Sequence, residues 1–263
     1  VKLPELELVG LAVGTALAVR QLRTRADPVL IRSWVFLVLA MVFPVVYAVL
    51  TRAVMYDTHR HFLFVIPLIC VVAGAAFDRL WAGLYSMRPA LAVGTAAVGV
   101  LVAAESATTQ VRLHPYEYVY YNHLVGGVAG AADRYELDYW GMSYREAVGI
   151  LVKYLERTEP GRYASTQYRV TVFGAPDCAT PYFPSNFHLS SNVREADFYI
   201  SFTRFRGHKI VRGTPIGSVS RLGVELAVIK DLRQTPKDQR LPDWWKDVPA
   251  DGSSQRFSPP LEP

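Results

Sequence analysis

Residues 55–67, with the sequence MYDTHRHFLFVIP, separate two long apolar runs and place an acid, an arginine and two histidines between them. A helix needs about 20 mainly apolar residues to cross the roughly 30 Å hydrocarbon layer of a bilayer. Because the flanking runs approach this length, the stretch is predicted to be a polar hairpin between two membrane spans. We expect any chemistry at the membrane surface to occur there.

The apolar runs are concentrated in the first part of the chain. Of its 263 residues 51% are hydrophobic and only 19% are charged, which is intermediate between a soluble enzyme and a multi-span membrane protein. Residues 1–104 hold the long apolar runs, whereas residues 105–233 have the composition of a water-soluble domain. Residues 234–263 are rich in proline and poor in aliphatic side chains, so we expect an extended tail.

Four membrane spans are predicted, at about residues 5–20, 33–54, 62–78 and 88–106. The alternative is that the shorter runs are buried helices of a large soluble protein, as apolar runs of about 10 to 14 residues often are. The length of the second run and the arginines in alternate loops favour the membrane. The predicted fold class is therefore an all-α membrane region followed by a small extracytoplasmic α/β domain.

The positive charge indicates an orientation. Lys and Arg outnumber Asp and Glu by nine to five in residues 1–104, but only by nineteen to eighteen in residues 105–263. A nucleic-acid partner is therefore not expected, since it requires a basic stripe on a soluble face.

The positive-inside rule places Val1, the hairpin and everything after Ala104 outside the cytoplasm. The expected location is the plasma (inner) membrane, with several spans and an extracytoplasmic C-terminal domain.

The soluble half predicts one helix followed by three strands. Apolar residues recur at helical spacing from Ser143 to about Arg157, and Ser143 with Glu146 forms a capping-box pattern. Short β-branched or aromatic runs at residues 168–173, 196–202 and 224–229 predict the strands. The glycines near residues 126–130 predict a loop.

The hairpin carries the first candidate site. Arg60 offers a planar fork that matches phosphate oxygens, and His59 and His61 add donors that change with pH. The alternative is that these side chains only anchor helix ends at the membrane surface. A metal site is less favoured, because zinc needs three or four ligands and no third ligand is evident.

The second candidate site lies in the soluble half. Asp133, Glu136 and Asp138 form an acidic cluster near Trp140. Carboxylates with an aromatic platform suit a base or contacts to a sugar or another polyol acceptor, and Glu136, Asp138 and Trp140 are the predicted contacts. The alternative is that they make structural hydrogen bonds near the start of the following helix. No serine-hydrolase elbow, P-loop or dinucleotide-binding fingerprint occurs in the chain.

Three phrases of the sequence resemble a known family. They are RHFLFVIP at residues 60–67, HPYEYVYYNHLVGG at residues 114–127 and ELDYWGMSYREA at residues 136–147. Taken together, in this order, they resemble the C-terminal portion of bacterial C-type membrane glycosyltransferases, near the dolichyl-phosphate-mannose protein mannosyltransferases (glycosyltransferase family 39). Each phrase alone is weakly specific, and the order of the three carries the resemblance.

The resemblance implies an enzyme that passes a sugar from a polyprenyl-phosphate carrier to an acceptor on the outer face of the membrane. It assigns contact with the carrier phosphate to Arg60, with His59 and His61 beside it. The family's essential acidic residue lies in its first external loop, so the catalytic residue is expected upstream of Val1 and the fragment alone is expected to be inactive.

The expected partners are membrane lipid and the lipid-phosphate sugar donor. No cofactor is expected in this fragment, and a divalent metal in the full-length protein stays open. A different class of function is a non-catalytic membrane-anchored module whose extracytoplasmic domain binds a partner or a glycan. The sequence does not identify the sugar or the acceptor.

Overall fold

The computed structural model describes residues 1–24, 27–55 and 60–241. They form two compact units, one made of Val1–Val111 and Tyr120–Gly127, the other made of Arg112–Val119 and the chain from Val128 onward. The first unit is helical and the second is built on a β-sheet. A helical region followed by an α/β domain, the broad class predicted from the sequence, is confirmed.

The first unit contains four long helices, namely α1 Glu5–Arg23, α2 Pro28–Leu50, α3 Ile66–Met87 and α4 Pro89–Leu113. Among the described residues, three helical stretches are long and apolar enough to cross a membrane: α2, α3 with the short 3-10 helix Arg60–Val65 before it, and α4. The first of the four predicted spans, which corresponds to α1, is not among them. Its first turn holds two glutamates and its last turn holds two arginines, which shorten its apolar part.

The helix boundaries differ from those predicted because polar residues, and not only the apolar runs, set them. α2 begins at Pro28, five residues before the predicted span, since the Asp27 side chain accepts a hydrogen bond from the Val29 backbone at 3.0 Å. It ends at Leu50, before Arg52, whose φ of 51° is incompatible with a continuing helix. Hydrophobic length therefore identified the helices better than it identified their ends.

α1 packs closely against α3 through two glycines spaced four residues apart. A Cβ added to Gly10 would lie 2.4 Å from the Cβ of Ala73 and 2.8 Å from its Cα. At Gly14 it would lie 2.6 Å from a methyl carbon of Val72. Small residues at this spacing let two helix backbones approach, as they do in membrane helix pairs.

The second unit contains the short helices α5 Gly127–Ala131 and α7 Gly207–Ile210, the longer helix α6 Tyr144–Thr158, and the strands β1 Tyr168–Val172, β2 Phe187–Leu189, β3 Phe198–Phe202, β4 Thr214–Arg221 and β5 Val224–Asp231. The described strands form one sheet in the order β2-β1-β3-β5-β4. β2, β1 and β3 run parallel, and β5 and β4 add to β3 as an antiparallel hairpin. The glycine-rich residues predicted as a loop instead turn at Gly126 and enter α5.

The core lies on both faces of β3, all five residues of which are buried. α6 covers one face with an apolar stripe that includes Leu151 and Leu155, both fully buried. On the edge strand β4, a Cβ at Gly217 would lie 2.6 Å from a methyl carbon of Ile150 of α6. Burial on both faces explains why β3 reads as a continuous apolar run without alternation.

The predicted helix and three strands are confirmed, with ends shifted by up to two residues. Two further strands were missed. β2 has only three residues, and β4 contains Pro215 and Gly217, which in sequence resemble a turn. β4 tolerates them because it is an edge strand with register irregularities at those positions.

Of the predicted tail the structure describes residues 234–241, and part of that segment is packed. Arg240 is 5% exposed. Its guanidinium donates to backbone oxygens that include those of Val193 and Ala196, at 3.1 and 2.8 Å. Residues 242–263 lie outside the described residues.

We expect Gly10→Leu to destabilise the first unit by about 1 to 3 kcal/mol, since the new side chain must push α3 away. The matched control is Gly99→Leu in α4, where an added Cβ meets nothing within 4 Å. Denaturant unfolding of the chain in detergent micelles measures both. Equal losses from the two substitutions would show that the contact between α1 and α3 is not tight.

Candidate functional site

The polar hairpin is described from Arg60 onward. Arg60 begins the 3-10 helix Arg60–Val65, which continues directly into α3. Arg60 and His61 are both partly buried. His59, the third side chain predicted to contact the carrier phosphate, lies outside the described residues. Two of the three predicted residues, Arg60 and His61, thus lie at the start of a helical stretch of membrane length.

Asp138, in the second unit, has a fully buried carboxylate that accepts five hydrogen bonds. Its Oδ1 accepts from the Tyr118 hydroxyl at 2.6 Å and from the backbone N–H groups of Trp140 and Gly141 at 3.1 and 2.8 Å. Its Oδ2 accepts from the backbone N–H and the hydroxyl of Ser143 at 3.0 and 2.5 Å. A carboxylate offers about four lone-pair sites, so these donors use its capacity. The structural alternative describes Asp138 better than a sugar contact.

The predicted capping box between Ser143 and Glu146 does not form. Ser143 makes no side-chain hydrogen bond to the helix backbone, and its φ and ψ of −67° and −13° are helical, whereas a capping residue has extended backbone. Its backbone N–H, which would donate to Glu146 in a capping box, donates instead to Asp138 Oδ2 at 3.0 Å. Asp138 lies five residues upstream, and the capping-box spacing does not reveal such a competing acceptor. The predicted capping box is wrong, although the predicted helix is present.

Glu146 is instead part of a polar cluster with Arg221 and Tyr116. The Arg221 guanidinium donates to Glu146 Oε2 at 2.8 Å, and the Tyr116 hydroxyl donates to the same oxygen at 2.8 Å. Burial raises the pKa of Glu146, but the hydrogen bonds from Arg221 and Tyr116 outweigh it and hold that pKa below its usual value. Arg221 also donates to the His114 carbonyl at 3.1 Å.

Glu136 and Trp140, the other two residues predicted to contact a sugar or its acceptor, are more exposed than Asp138. The Arg204 Nε donates to Glu136 Oε1 at 3.0 Å, and another nitrogen of the same guanidinium donates to the Tyr139 carbonyl at 3.2 Å. Trp140 is 46% exposed. Glu136 therefore lies at the surface beside a cation, and the three predicted residues do not share one environment.

Glu136 and Arg204 line a cavity of about 530 Å³ in the second unit. We call it the basic pocket, because four of its lining side chains are arginine or lysine and three are aspartate or glutamate: Arg134, Arg204, Arg206, Lys209, Asp133, Glu136 and Glu225. Such a volume lies within the range of about 300 to 1,000 Å³ typical of small-molecule sites. The pocket is open to solvent, and charged side chains form much of its wall.

The wall of the basic pocket contains strained backbone. Asp133, Phe205 and Arg206 have φ angles of 65°, 53° and 54°, in the left-handed region that residues with a Cβ avoid. Each such residue costs about 1 to 3 kcal/mol. The next residue, Gly207, has no room for a side chain, since an added Cβ would lie 2.3 Å from the Phe173 ring. Strain of this kind clusters at binding and catalytic sites.

The basic side chains of this pocket were not among the residues predicted from the sequence. They follow β3 in the segment TRFRGHK, residues 203–209. A basic run directly after a buried strand was the available signal. What the sequence could not supply was the contact between Arg204 and Glu136, which are separated by 68 positions.

No protein-family model, curated protein or solved structure matches this chain. A function for this chain is therefore inferred from the geometry within each unit and from the phrases of the sequence.

A third polar cluster lies in the first unit, where the segment after α4 meets the start of α1. The backbone N–H of His123 donates to Glu5 Oε1 at 2.6 Å, and its ring Nε2 lies 3.4 Å from Glu105 Oε1. Asn122 donates to the Leu3 carbonyl at 2.9 Å. In the part of the chain that the structure describes, these and other His, Cys, Asp and Glu side chains form no group that could hold a metal ion.

We expect Asp138→Asn to destabilise the second unit by about 1.5 to 3 kcal/mol, because an amide nitrogen would replace an acceptor that faces several donors. The control is Asp177→Asn, whose parent residue is exposed. Chemical denaturation with a probe for the second unit measures the difference. A loss no larger than that of the control would mean that the buried carboxylate is dispensable.

Because the pKa of Glu146 is lowered in the folded protein, the free energy of unfolding should decrease at acid pH. A carboxyl with a depressed folded-state pKa stabilises the fold above its unfolded value of about 4.3, and this contribution disappears as the pH falls through the folded value. The midpoint temperature of thermal unfolding should therefore decrease less steeply between neutral and acid pH for Glu146→Gln than for the wild type. Glu156→Gln, an exposed position on the same helix, should keep the wild-type profile; an unaltered profile for Glu146→Gln as well would contradict the assignment.

Proposed function

We propose that this chain is the C-terminal part of a membrane glycosyltransferase that moves a sugar from a polyprenyl-phosphate carrier to an acceptor on the outer face of the membrane. The catalytic carboxylate is then supplied by a part of the enzyme outside this sequence. The proposal combines the family resemblance of three sequence phrases with the arrangement of the residues in two of them.

The observation that carries the proposal is that two of these phrases are joined by hydrogen bonds within the second unit. Tyr118, from the second phrase, donates to Asp138 of the third at 2.6 Å. Tyr116 donates to Glu146 of the third at 2.8 Å. These hydrogen bonds place parts of both phrases in one polar layer, as expected for segments of one structural core.

The helices of the first unit support a membrane location. α2, the stretch Arg60–Met87 and α4 have the length and hydropathy of spans. In the proposal α1 is a fourth span, whose terminal charged side chains reach the membrane surface while Gly10 and Gly14 pack on α3. The alternating arginines favour an extracytoplasmic hairpin and C-terminal domain in the plasma (inner) membrane.

The chemistry assigns a role to Arg60. Transfer of a sugar from a lipid phosphate leaves a phosphate anion, and negative charge grows on its oxygens in the transition state. A guanidinium at the start of a span can pair with two of these oxygens at once. His61 follows Arg60 directly, and His59 precedes it. These side chains would bind the carrier phosphate and stabilise it as it leaves.

The alternative function is a membrane-anchored module that binds a partner or a glycan without catalysis. One experiment distinguishes it from the enzyme. A transfer assay on the complete protein with labelled polyprenyl-phosphate sugars yields a labelled acceptor only for the enzyme. Absence of transfer from any carrier sugar, with the protein folded and inserted, would favour the module.

We expect Arg60→Ala in the complete enzyme to lower turnover by about 10²- to 10³-fold, which corresponds to about 2.7 to 4 kcal/mol of lost transition-state stabilisation. Arg60→Lys should recover part of the rate, since it keeps the charge but loses the paired donors. Single-turnover transfer in reconstituted vesicles is the measurement, and membrane insertion should be unchanged.

The control for Arg60 is Arg52→Gly in the same hairpin. It removes an equal charge from the same loop, and glycine accepts the φ of 51° found at this position. Transfer rates of this control should stay near the wild-type value. If Arg60→Ala is as active as Arg52→Gly, the hairpin does not belong to the site.

A further inference from the structure

The basic pocket holds more cationic than anionic groups that are free to bind a ligand. Lys209 lies 3.6 Å from Asp133, and Arg204 is paired with Glu136. Arg134 and Arg206 line the same cavity and make no ion pair with any described residue. Guanidinium groups that line one cavity suit an oxyanion ligand, because each can present parallel donors to two oxygens.

Other groups of the wall suit the hydroxyls and the ring of a sugar. Glu225, exposed at the pocket edge, is a carboxylate that can accept hydrogen bonds from ligand hydroxyls. Phe205 and Tyr135, which are 36% and 44% exposed, provide aromatic faces on the same wall. A simple inorganic anion uses only the arginines, whereas a sugar that carries an acidic group uses all three kinds of side chain.

The backbone gives an independent reason to regard this wall as selected for binding. Phe205 and Arg206 both adopt left-handed conformations, which a glycine would accept without strain. Retaining two bulky side chains there costs stability and keeps an aromatic ring and a guanidinium on the pocket wall. A wall with only a structural role would favour glycine at these positions.

We propose that the basic pocket is a binding site for an acidic saccharide, a sugar that bears a carboxylate or a phosphate group. The arginines bind the oxyanion, Glu225 accepts from ring hydroxyls, and Phe205 packs against the ring. This inference goes beyond the proposed glycosyltransferase function, since binding here requires neither a lipid carrier nor sugar transfer.

Isothermal titration of the full chain in detergent tests the ligand class with four probes: glucuronate, glucose 6-phosphate, glucose and inorganic phosphate. At least one of the two acidic sugars should bind about tenfold or more tightly than both glucose and phosphate, since it alone joins the charged and hydroxyl contacts. Which of the two binds better identifies the oxyanion. If neither exceeds glucose and phosphate, the proposal is overturned.

Arg206→Gly separates a binding role from a structural one. It removes the guanidinium and relieves the left-handed strain, so affinity for the acidic sugar should fall by about tenfold to one hundredfold. The melting temperature should meanwhile stay constant or rise. Arg194→Gly, at an exposed arginine outside the pocket, should leave the affinity unchanged.

The two proposals fail in different ways. Wild-type affinity in Arg206→Gly overturns the saccharide site, whatever the transfer assay shows. Loss of binding in this variant with full transfer activity in the complete protein supports the site and places it apart from the reaction. Because binding is measured without a carrier lipid, failure of the transferase proposal leaves this result standing.

Discussion

The buried carboxylate of Asp138 is the interaction on which the second unit depends. Removing a carboxylate from water is costly unless hydrogen bonds replace its hydration, and here five donors do so. These donors come from two places in the chain, the segment that follows α4 and the turn that precedes α6. One side chain thereby fixes the start of α6 and joins it to the segment containing Tyr118. The position of α6 over the sheet follows from that anchor.

The basic pocket depends on the same framework, because Glu136 lies just two residues before Asp138. The buried anchor holds this segment in place, and Glu136 can then meet Arg204 at the end of β3. Apolar burial makes β3 rigid, while the residues just after it carry left-handed strain at Phe205 and Arg206. A rigid element that ends in a strained, charged segment is a common arrangement for binding sites, since the framework supports a conformation that is unfavourable alone.

Much of the fold was predictable from local pattern, and what was missed depended on tertiary context. The 3.6-residue period identified α6, and the apolar runs identified β1, β3 and β5. β4 was not predicted because its proline and glycine are tolerated only at a sheet edge, and a short stretch of sequence does not show which strand lies at the edge. The capping box is absent for a related reason: the Ser143 backbone N–H donates to Asp138 instead of Glu146, and Ser143 itself has helical φ and ψ angles. Of the predicted site residues, Arg60 and His61 begin a helical stretch of membrane length, whereas Glu136, Asp138 and Trp140 have three different environments.

The arginines of the second unit show why composition could not locate its pocket. This half of the chain is nearly neutral, which argues against an extended basic surface. Arg240 is buried and its donors are used by backbone carbonyls, so its charge serves the fold. Arg221 is neutralised by Glu146. Arg206 has neither kind of partner among the residues that the structure describes, has a left-handed φ angle and lines a cavity with three other cations. A balanced total charge therefore conceals a local excess, and the distinction lies in which arginines already have their hydrogen bonds satisfied within the fold.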